Sequence, residues 1–236
     1  MEQIIAFTDG ASRKNPGPGG WGSVVIYPKS SGVMYVDELG GREDYTTNNR
    51  MEISAFKAVL AHFVDYYQND SEKKLITIYT DSSYVRNSFL AWISGWAKNN
   101  WITKGKTEVL NSDLWKEVYE LKKKLSSQFD FNIVLVKGHS GIVGNERCDV
   151  IATTFADKNP DQLYKGALSA YSISDILDIK ATASSSSKNK SSSKGKNPLG
   201  YVSFVGGIVQ KHTTWADCEK RVKGAKGAKF KKYFSL

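Results

Sequence analysis

Three short runs near the N-terminus, "IIAFTD", "WGSVVIYP" and "VMYVDELGG", carry strand-like apolar patterns with only turn-forming residues between them. Such runs predict an antiparallel meander. The period then changes. "MEISAFKAVLAHFVDYYQ" has apolar residues at 53, 56, 59, 60, 63 and 64, the stripe of a core-facing helix. "LITIYTD" is almost continuously apolar, as expected of a strand buried on both faces. "SSYVRNSFLAWISGW" and "NSDLWKEVYELKKKLSS" predict helices, each opening on a Ser or Asn cap. "FNIVLVKGH" predicts a further buried strand and "NERCDVIATTFADK" a last helix. Three meandering strands followed by alternating helices and strands predict an α/β fold, a mixed sheet with helices against it.

The pattern stops near residue 160. "DQLYKGALSAYSISDILDIK", residues 161–180, reads either as a closing element of the large domain or as a loosely helical connecting segment. Residues 181–200, "ATASSSSKNKSSSKGKNPLG", have no apolar period and cannot bury enough surface to order themselves. They predict a flexible tether with a root-mean-square span of roughly 25 Å. Residues 201–236 form a separate small unit, expected to be α+β. The division is therefore 1–160, 161–180, 181–200 and 201–236.

Charge follows this division. Of 33 Lys+Arg and 24 Asp+Glu, residues 1–165 hold 20 of each, so the net charge of +9 lies wholly in residues 166–236. Such a footprint suits a polyanion, nucleic acid or membrane surface, and equally a solvated tail. The sequence opens "MEQIIAFTDG", so the first strand is expected to start almost at once with no room for a signal sequence, and no apolar run approaches ~18 residues. A soluble, cytoplasmic protein is expected. The two cysteines, Cys148 and Cys218, lie too far apart for a metal-ligand motif.

Four carboxylates stand where apolar residues are expected. Asp9 and Asp81 each end an apolar strand, in "FTDG" and "YTDS". Glu52 borders the apolar stripe of the first helix, and Asp149 lies between Cys148 and Val150 in the last. Singly, each reads as a cap or a turn former. Together on buried faces they would repel one another unless a cation neutralised them. An oxygen-only ligand set suits Mg²⁺ or Mn²⁺ rather than zinc. Two such ions about 4 Å apart form a clamp for in-line displacement at phosphorus. His139, in a glycine-flanked loop ten residues before Asp149, reads as a surface histidine or as a proton carrier.

"FTDGASRKNPGPGGWG", "TTNNRMEISA", "IYTDSSYVRN" and "VKGHSGIVGNERCD" resemble, in order and spacing, the four signature blocks of type 1 ribonuclease H. The likeness covers roughly residues 3–158. It implies a ribonuclease H-like mixed five-stranded sheet with flanking helices. It also implies Mg²⁺-dependent endonucleolytic hydrolysis of the RNA strand of RNA–DNA hybrids, with two ions and with Mn²⁺ able to substitute. By this resemblance Asp9, Glu52, Asp81 and Asp149 hold the metal, and His139 assists proton transfer or product release. Gly10, Asn15, Asn48, Asn49 and Ser83 match positions that contact the RNA strand. An amide can pair with a 2′-hydroxyl both ways, while Asn49 also suits a helix cap. The Gly/Pro-rich turn after Asp9 is expected to bring backbone and Asn15 against the RNA, where larger side chains would intrude.

Trp92, Trp96, Lys98, Trp101, Lys104 and Lys106 interleave in "LAWISGWAKNNWITKGK", which resembles the basic protrusion of many family members. Aromatic and basic residues together suit sugar stacking and phosphate attraction on the DNA strand, though at least one of these tryptophans is expected in the helix core. Thr47 and Asn111 match positions that hold a DNA phosphate in some members. Tyr45 replaces a basic residue of that pocket, and Ser83 a longer side chain. The last unit resembles the small hybrid-binding, viroplasmin-like domain through "YVSFVGG", "TTWADCEKRVKG" and "AKGAKFKKYF". Tyr201, Trp215, Phe230, Lys231 and Lys232 would then bind a hybrid or double-stranded RNA. The partner expected is nucleic acid rather than a membrane, for a monomer. Rival readings are an inert hybrid-binding protein and a DNA-acting nuclease of the same fold.

Overall fold

The N-terminal meander is β1 (Ile4–Ser12), β2 (Gly17–Pro28) and β3 (Met34–Thr46). It is followed by α1 (Asn48–Tyr66), β4 (Lys74–Thr80), α2 (Ser83–Asn87), a π-helical turn (Ser88–Trp92) and α3 (Ile93–Lys98). Then come α4 (Ser112–Leu125), β5 (Phe129–Leu135), α5 (Val143–Ala156) and a short β6 (Lys165–Ala167). The computed structural model describes residues 4–29, 32–66, 73–138, 140–179, 200–205, 208–225 and 228–233, apart from the side chains of 65, 66, 229 and 231–233. His139, the tether expected over 181–200 up to residue 199, and the side chains of Lys231 and Lys232 therefore lie outside the described residues.

Strand order is β5-β4-β1-β2-β3-β6. β1, β2 and β3 are antiparallel neighbours, while β1, β4 and β5 run parallel. Ile4, Ala6, Val25 and Ile76 join the stripe of α1 (Ile53, Phe56, Val59, Leu60, Phe63) and Trp115 of α4 in one core. Ile5, Phe7, Val24 and Ile26 form a second core with Cys148 and Ile151 of α5. The strict alternation along β1 is why one strand serves both cores.

Four expectations change. The sheet has six strands, because β6 adds to the free edge of β3, and residues 163–179 pack Leu163, Leu168, Ile173, Ile176 and Ile179 onto the α5 core. The segment is thus a closing element of the large unit. β5 is an outer strand with alternate positions exposed, Leu135 at 45%, rather than a buried one. The helix predicted over 82–96 is interrupted by the π turn. Ser82 does cap α2 by accepting the Val85 amide, but Asn111 does not cap α4: it takes a left-handed φ of 57° with no side-chain capping bond.

The small unit is a three-stranded antiparallel sheet, β7 (Gly200–Val205), β8 (Ile208–His212) and β9 (Lys229–Tyr233), in the order β8-β7-β9. One helix, α6 (Trp215–Val222), buries Cys218. Thr214 caps it, its hydroxyl accepting the Asp217 amide.

Candidate active site

The register of β1 against β4 builds the site. Thr8 pairs with Thr80, so Asp81, just past the carboxyl end of β4, lies beside Asp9, which sits within β1 where that strand runs on past the end of its parallel neighbour. Open α/β sheets place ligands at such an end, where the strand order reverses. Glu52 reaches the same point from the first turns of α1, and Asp149 from α5. Carboxylate oxygens of Asp9, Glu52 and Asp81 lie within 4.8 Å of one another. Asp149 lines the same cleft, about 250 Å³ in volume, but stands outside that tight group.

Glycine sets these distances. A methyl group on Gly10 would lie 2.2 Å from the Glu52 backbone nitrogen, so only glycine lets β1 touch α1 there. One on Gly22, opposite Asp9, would lie 2.4 Å from the Cys148 carbonyl oxygen of α5. The glycine-rich stretch after Asp9 is therefore mostly strand, not an extended loop. β1 continues to Ser12 and β2 starts at Gly17. The turn is residues 13–16, which include a cis Asn15–Pro16 peptide. Arg13 anchors it through a two-pronged pair with Asp157, at 2.7 and 2.5 Å, beyond the C-terminus of α5.

The carboxylates are strained electrostatically. Asp9 is pushed up to about 8, chiefly by burial and then by the charges of Asp81 and Asp149, against the Gly10 N–H that donates to its Oδ1 at 2.7 Å. Burial, then Asp9 and Asp81, push Glu52 well above the usual carboxylate range. Glu52 Oε1 accepts from Asn48 Nδ2 at 3.5 Å, while Oε2 is sealed from solvent without a hydrogen-bond partner among the described residues. A buried, unpartnered carboxylate oxygen among other carboxylates fits a hard divalent cation, which would supply the missing positive partner.

The amides gather beside this cleft. Asn15 Oδ1 accepts the Asn48 amide at 3.3 Å, tying the turn to the start of α1. Thr47 Oγ1, rather than Asn49, accepts a first-turn amide, that of Arg50. Asn49 and Ser83 are exposed. Trp92 is 44% exposed and stacks obliquely on Trp96, whereas Trp96 and Trp101 pack partly into the α1 core. Lys98, Lys104 and Lys106 are exposed. Asn111 keeps its Nδ2 buried and without a hydrogen-bond partner among the described residues. In the small unit Trp215 bridges Tyr201 and Phe230, with ring centroids 5.4 and 4.9 Å apart. Sequence reasoning missed Arg13, Asn145 and Thr153, which also line the cleft. The helical spacing of Asn145, Asp149 and Thr153 was the available signal.

A mixed sheet with a buried carboxylate centre on β1, after β4 and on α1 defines an α/β fold whose site fits a hard divalent cation. The family model described as RNase H matches residues 1–157, and the one described as Ribonuclease H1 N-terminal domain matches residues 207–236. The chain is 44% identical over 150 residues to ribonuclease H of Cyanothece sp., covering 64% of this chain and 87% of that one. It is 42% identical over 153 residues to ribonuclease H of Caldicellulosiruptor saccharolyticus, covering 64% and 94%. Among solved structures it resembles LC9-RNase H1, with a TM-score of 0.55 and 21% identity over 78% of this chain and 85% of that one, a likeness of fold. The chain belongs to the ribonuclease H family, and the unit at its C-terminal end resembles a domain that carries the N-terminal label elsewhere.

Proposed function

We propose that the chain is an endoribonuclease that hydrolyses the RNA strand of RNA–DNA hybrids, its carboxylate centre loaded with two Mg²⁺ ions, for which Mn²⁺ can substitute. The observation that carries this is the cluster of Asp9, Glu52 and Asp81 within 4.8 Å, with an unpartnered Glu52 oxygen, in a ribonuclease H fold. Asp9, Glu52, Asp81 and Asp149 hold the ions, which when bound stabilise charge on the attacking and leaving oxygens. Water adds across the P–O3′ bond. Its oxygen bonds to phosphorus and the 3′-oxygen leaves with a proton, giving 5′-phosphate and 3′-hydroxyl ends. His139 assists the proton transfer or the release of product.

The chain's other groups select the substrate. Asn15, Asn48 and Asn49, with the Gly10 backbone and Ser83, face the RNA strand, where an amide pairs with a 2′-hydroxyl that DNA lacks. Thr47 and Asn111 hold a DNA phosphate. The rim of exposed Trp92 and half-buried Trp96 with Lys98, Lys104 and Lys106 takes the rest of the DNA strand. The Tyr201–Trp215–Phe230 ladder, followed in β9 by Lys231 and Lys232, binds hybrid or double-stranded RNA through stacking and phosphate pairing. The free, buried Cys148 and Cys218 suit a reducing compartment, and we place the enzyme in the cytoplasm as a monomer. No described helix is long and apolar enough to cross a membrane.

The test is cleavage of a labelled hybrid beside single-stranded RNA, duplex RNA and duplex DNA, with Mg²⁺ or with EDTA. Hybrid-only cutting that EDTA stops is expected. Tight binding without cutting would favour an inert binding protein, and cutting of duplex DNA a DNA-acting nuclease.

A further inference from the structure

Helix α5 presents a polar stripe to the cleft. Asn145, Asp149 and Thr153 are spaced at i, i+4 and i+8, one helix face, and all three line the carboxylate cavity with Asp9, Glu52 and Asp81. Thr153 turns its hydroxyl back to the carbonyls of Asp149 and Val150, at 2.8 and 3.0 Å. Asn145 does nothing comparable. It is 4% exposed, and its Oδ1 is sealed from solvent with no hydrogen-bond partner among the described residues. Folded proteins rarely leave a buried amide unsatisfied, because burial without a partner costs more than an apolar side chain of the same shape. The neighbours of Asn145 along this helix, Gly144, Cys148, Ile151 and Ala152, are buried and small or apolar, so the amide is the exception on the inner face.

We propose that Asn145 is a catalytic residue of this centre. Its amide hydrogen-bonds a water molecule held in the cleft beside Asp149 and orients it toward phosphorus. An amide suits the task because it both donates and accepts. It also adds no charge to a site where burial and carboxylate repulsion already oppose ionisation of Asp9 and Glu52. A fifth carboxylate at this position would deepen that repulsion, and an aliphatic residue would leave the water unheld. The proposal rests on the hydrolytic reading above. The water whose oxygen bonds to phosphorus as the P–O3′ bond breaks is the molecule that Asn145 orients.

The test compares parent, Asn145→Ala and Asn145→Ser by single-turnover cleavage of a hybrid with Mg²⁺, by KM for the hybrid, and by the metal-free melting temperature. Asn145→Ala should slow the single-turnover rate by about 10- to 100-fold, the range for removing a positioning group beside a reacting atom. KM should stay put. The metal-free melting temperature should hold or rise, because the unpartnered amide is gone, and Asn145→Ser should recover part of the rate. Parental rate in Asn145→Ala would overturn the proposal alone. So would a lost rate accompanied in both variants by a large fall in metal-free melting temperature, which marks a structural role. A parent that cuts nothing would overturn the hydrolytic reading first, and this proposal with it.

Discussion

The Asp9 carboxyl is pushed up by burial and by its carboxylate neighbours, and that gives it a testable sign. Its carboxyl titrates near 8 in the fold, against an ordinary carboxylate value in the unfolded chain, chiefly because it is buried and then because Asp81 and Asp149 are near. A carboxyl raised on folding favours the fold while protonated, so this contribution is full below the unfolded value. It drains away as pH climbs from there through about 8. The metal-free protein should therefore lose melting temperature between pH 5 and pH 8, and Asp9→Asn should flatten the fall. Saturating Mg²⁺ should flatten it too, by supplying the cation the carboxylates lack. Calorimetric scans at both pH values, with EDTA or Mg²⁺, measure this; equal slopes in parent and variant would mean that Asp9 is not the strained group. The same Asp9→Asn substitution should remove essentially all cleavage while hybrid binding persists, which a filter-binding assay beside the cleavage assay would read. Wild-type cutting by the variant would put the metal elsewhere.

Between elements, the distance of closest approach governs. Gly10→Ala would drive a methyl group into the backbone of α1 at Glu52. It should cost about 1–3 kcal/mol of stability, as overpacking does, and separate two of the three clustered carboxylates, so activity should fall further than the melting temperature suggests. A parental rate in Gly10→Ala would show that β1 and α1 need not touch. The segment 163–179 is held differently. Glu38 of β3 is buried and takes Arg147 of α5 through both oxygens, at 2.6 and 2.9 Å, with the Tyr171 hydroxyl at 2.6 Å and the Tyr164 amide at 3.0 Å. Burial alone would raise the Glu38 carboxyl, but these donors outweigh it and hold it below the usual range. A chain ending at residue 160 strips away both tyrosine donors and uncovers the α5 core, so it should melt well below a chain ending at 180. Equal melting temperatures would make the strap dispensable. These two cases also mark what the sequence discloses. Asp9 and Asp81 were legible because each closes an apolar run in the sequence, although β1 itself continues to Ser12, and α1 because its stripe is regular. The glycines suggested a loop because their usual signal is a turn, and close approach to a helix leaves no separate local mark. The strap was ambiguous because its apolar residues keep neither period, and its anchor joins Glu38 to residues 109 to 133 positions away. The π turn in 88–92 leaves no pattern at all.

At the scale of the whole molecule the charge distribution separates the carboxylate centre from the excess of basic residues. Residues 1–165 are neutral overall and carry the carboxylate centre, residues 166–199 hold 5 basic against 2 acidic side chains, and residues 200–236, with the aromatic ladder of the small sheet, hold 8 against 2, or +6 of the +9. If the small unit binds the hybrid and residues 181–199 act as a flexible link, the substrate concentration at the nuclease would rise to a millimolar scale. Removing residues 181–236 should then raise KM about tenfold or more, as the loss of a second binding unit does, and leave the single-turnover rate at saturating hybrid nearly unchanged. The salt dependence provides the independent check. Each lysine–phosphate pair removed should lower the slope of log affinity against log salt by roughly 0.7–0.9. If Lys231 and Lys232 both pair with phosphates, the slope of the truncated chain should therefore drop by about 1.4–1.8 from these two alone. A double substitution, Lys231→Ala with Lys232→Ala, in the full chain should reproduce that part of the change while leaving the stacking of Trp215 and Phe230 in place. An unchanged slope in both proteins would move nucleic-acid binding off the small unit, and a truncated chain that lost its single-turnover rate would show that this unit shapes the active site rather than feeding it.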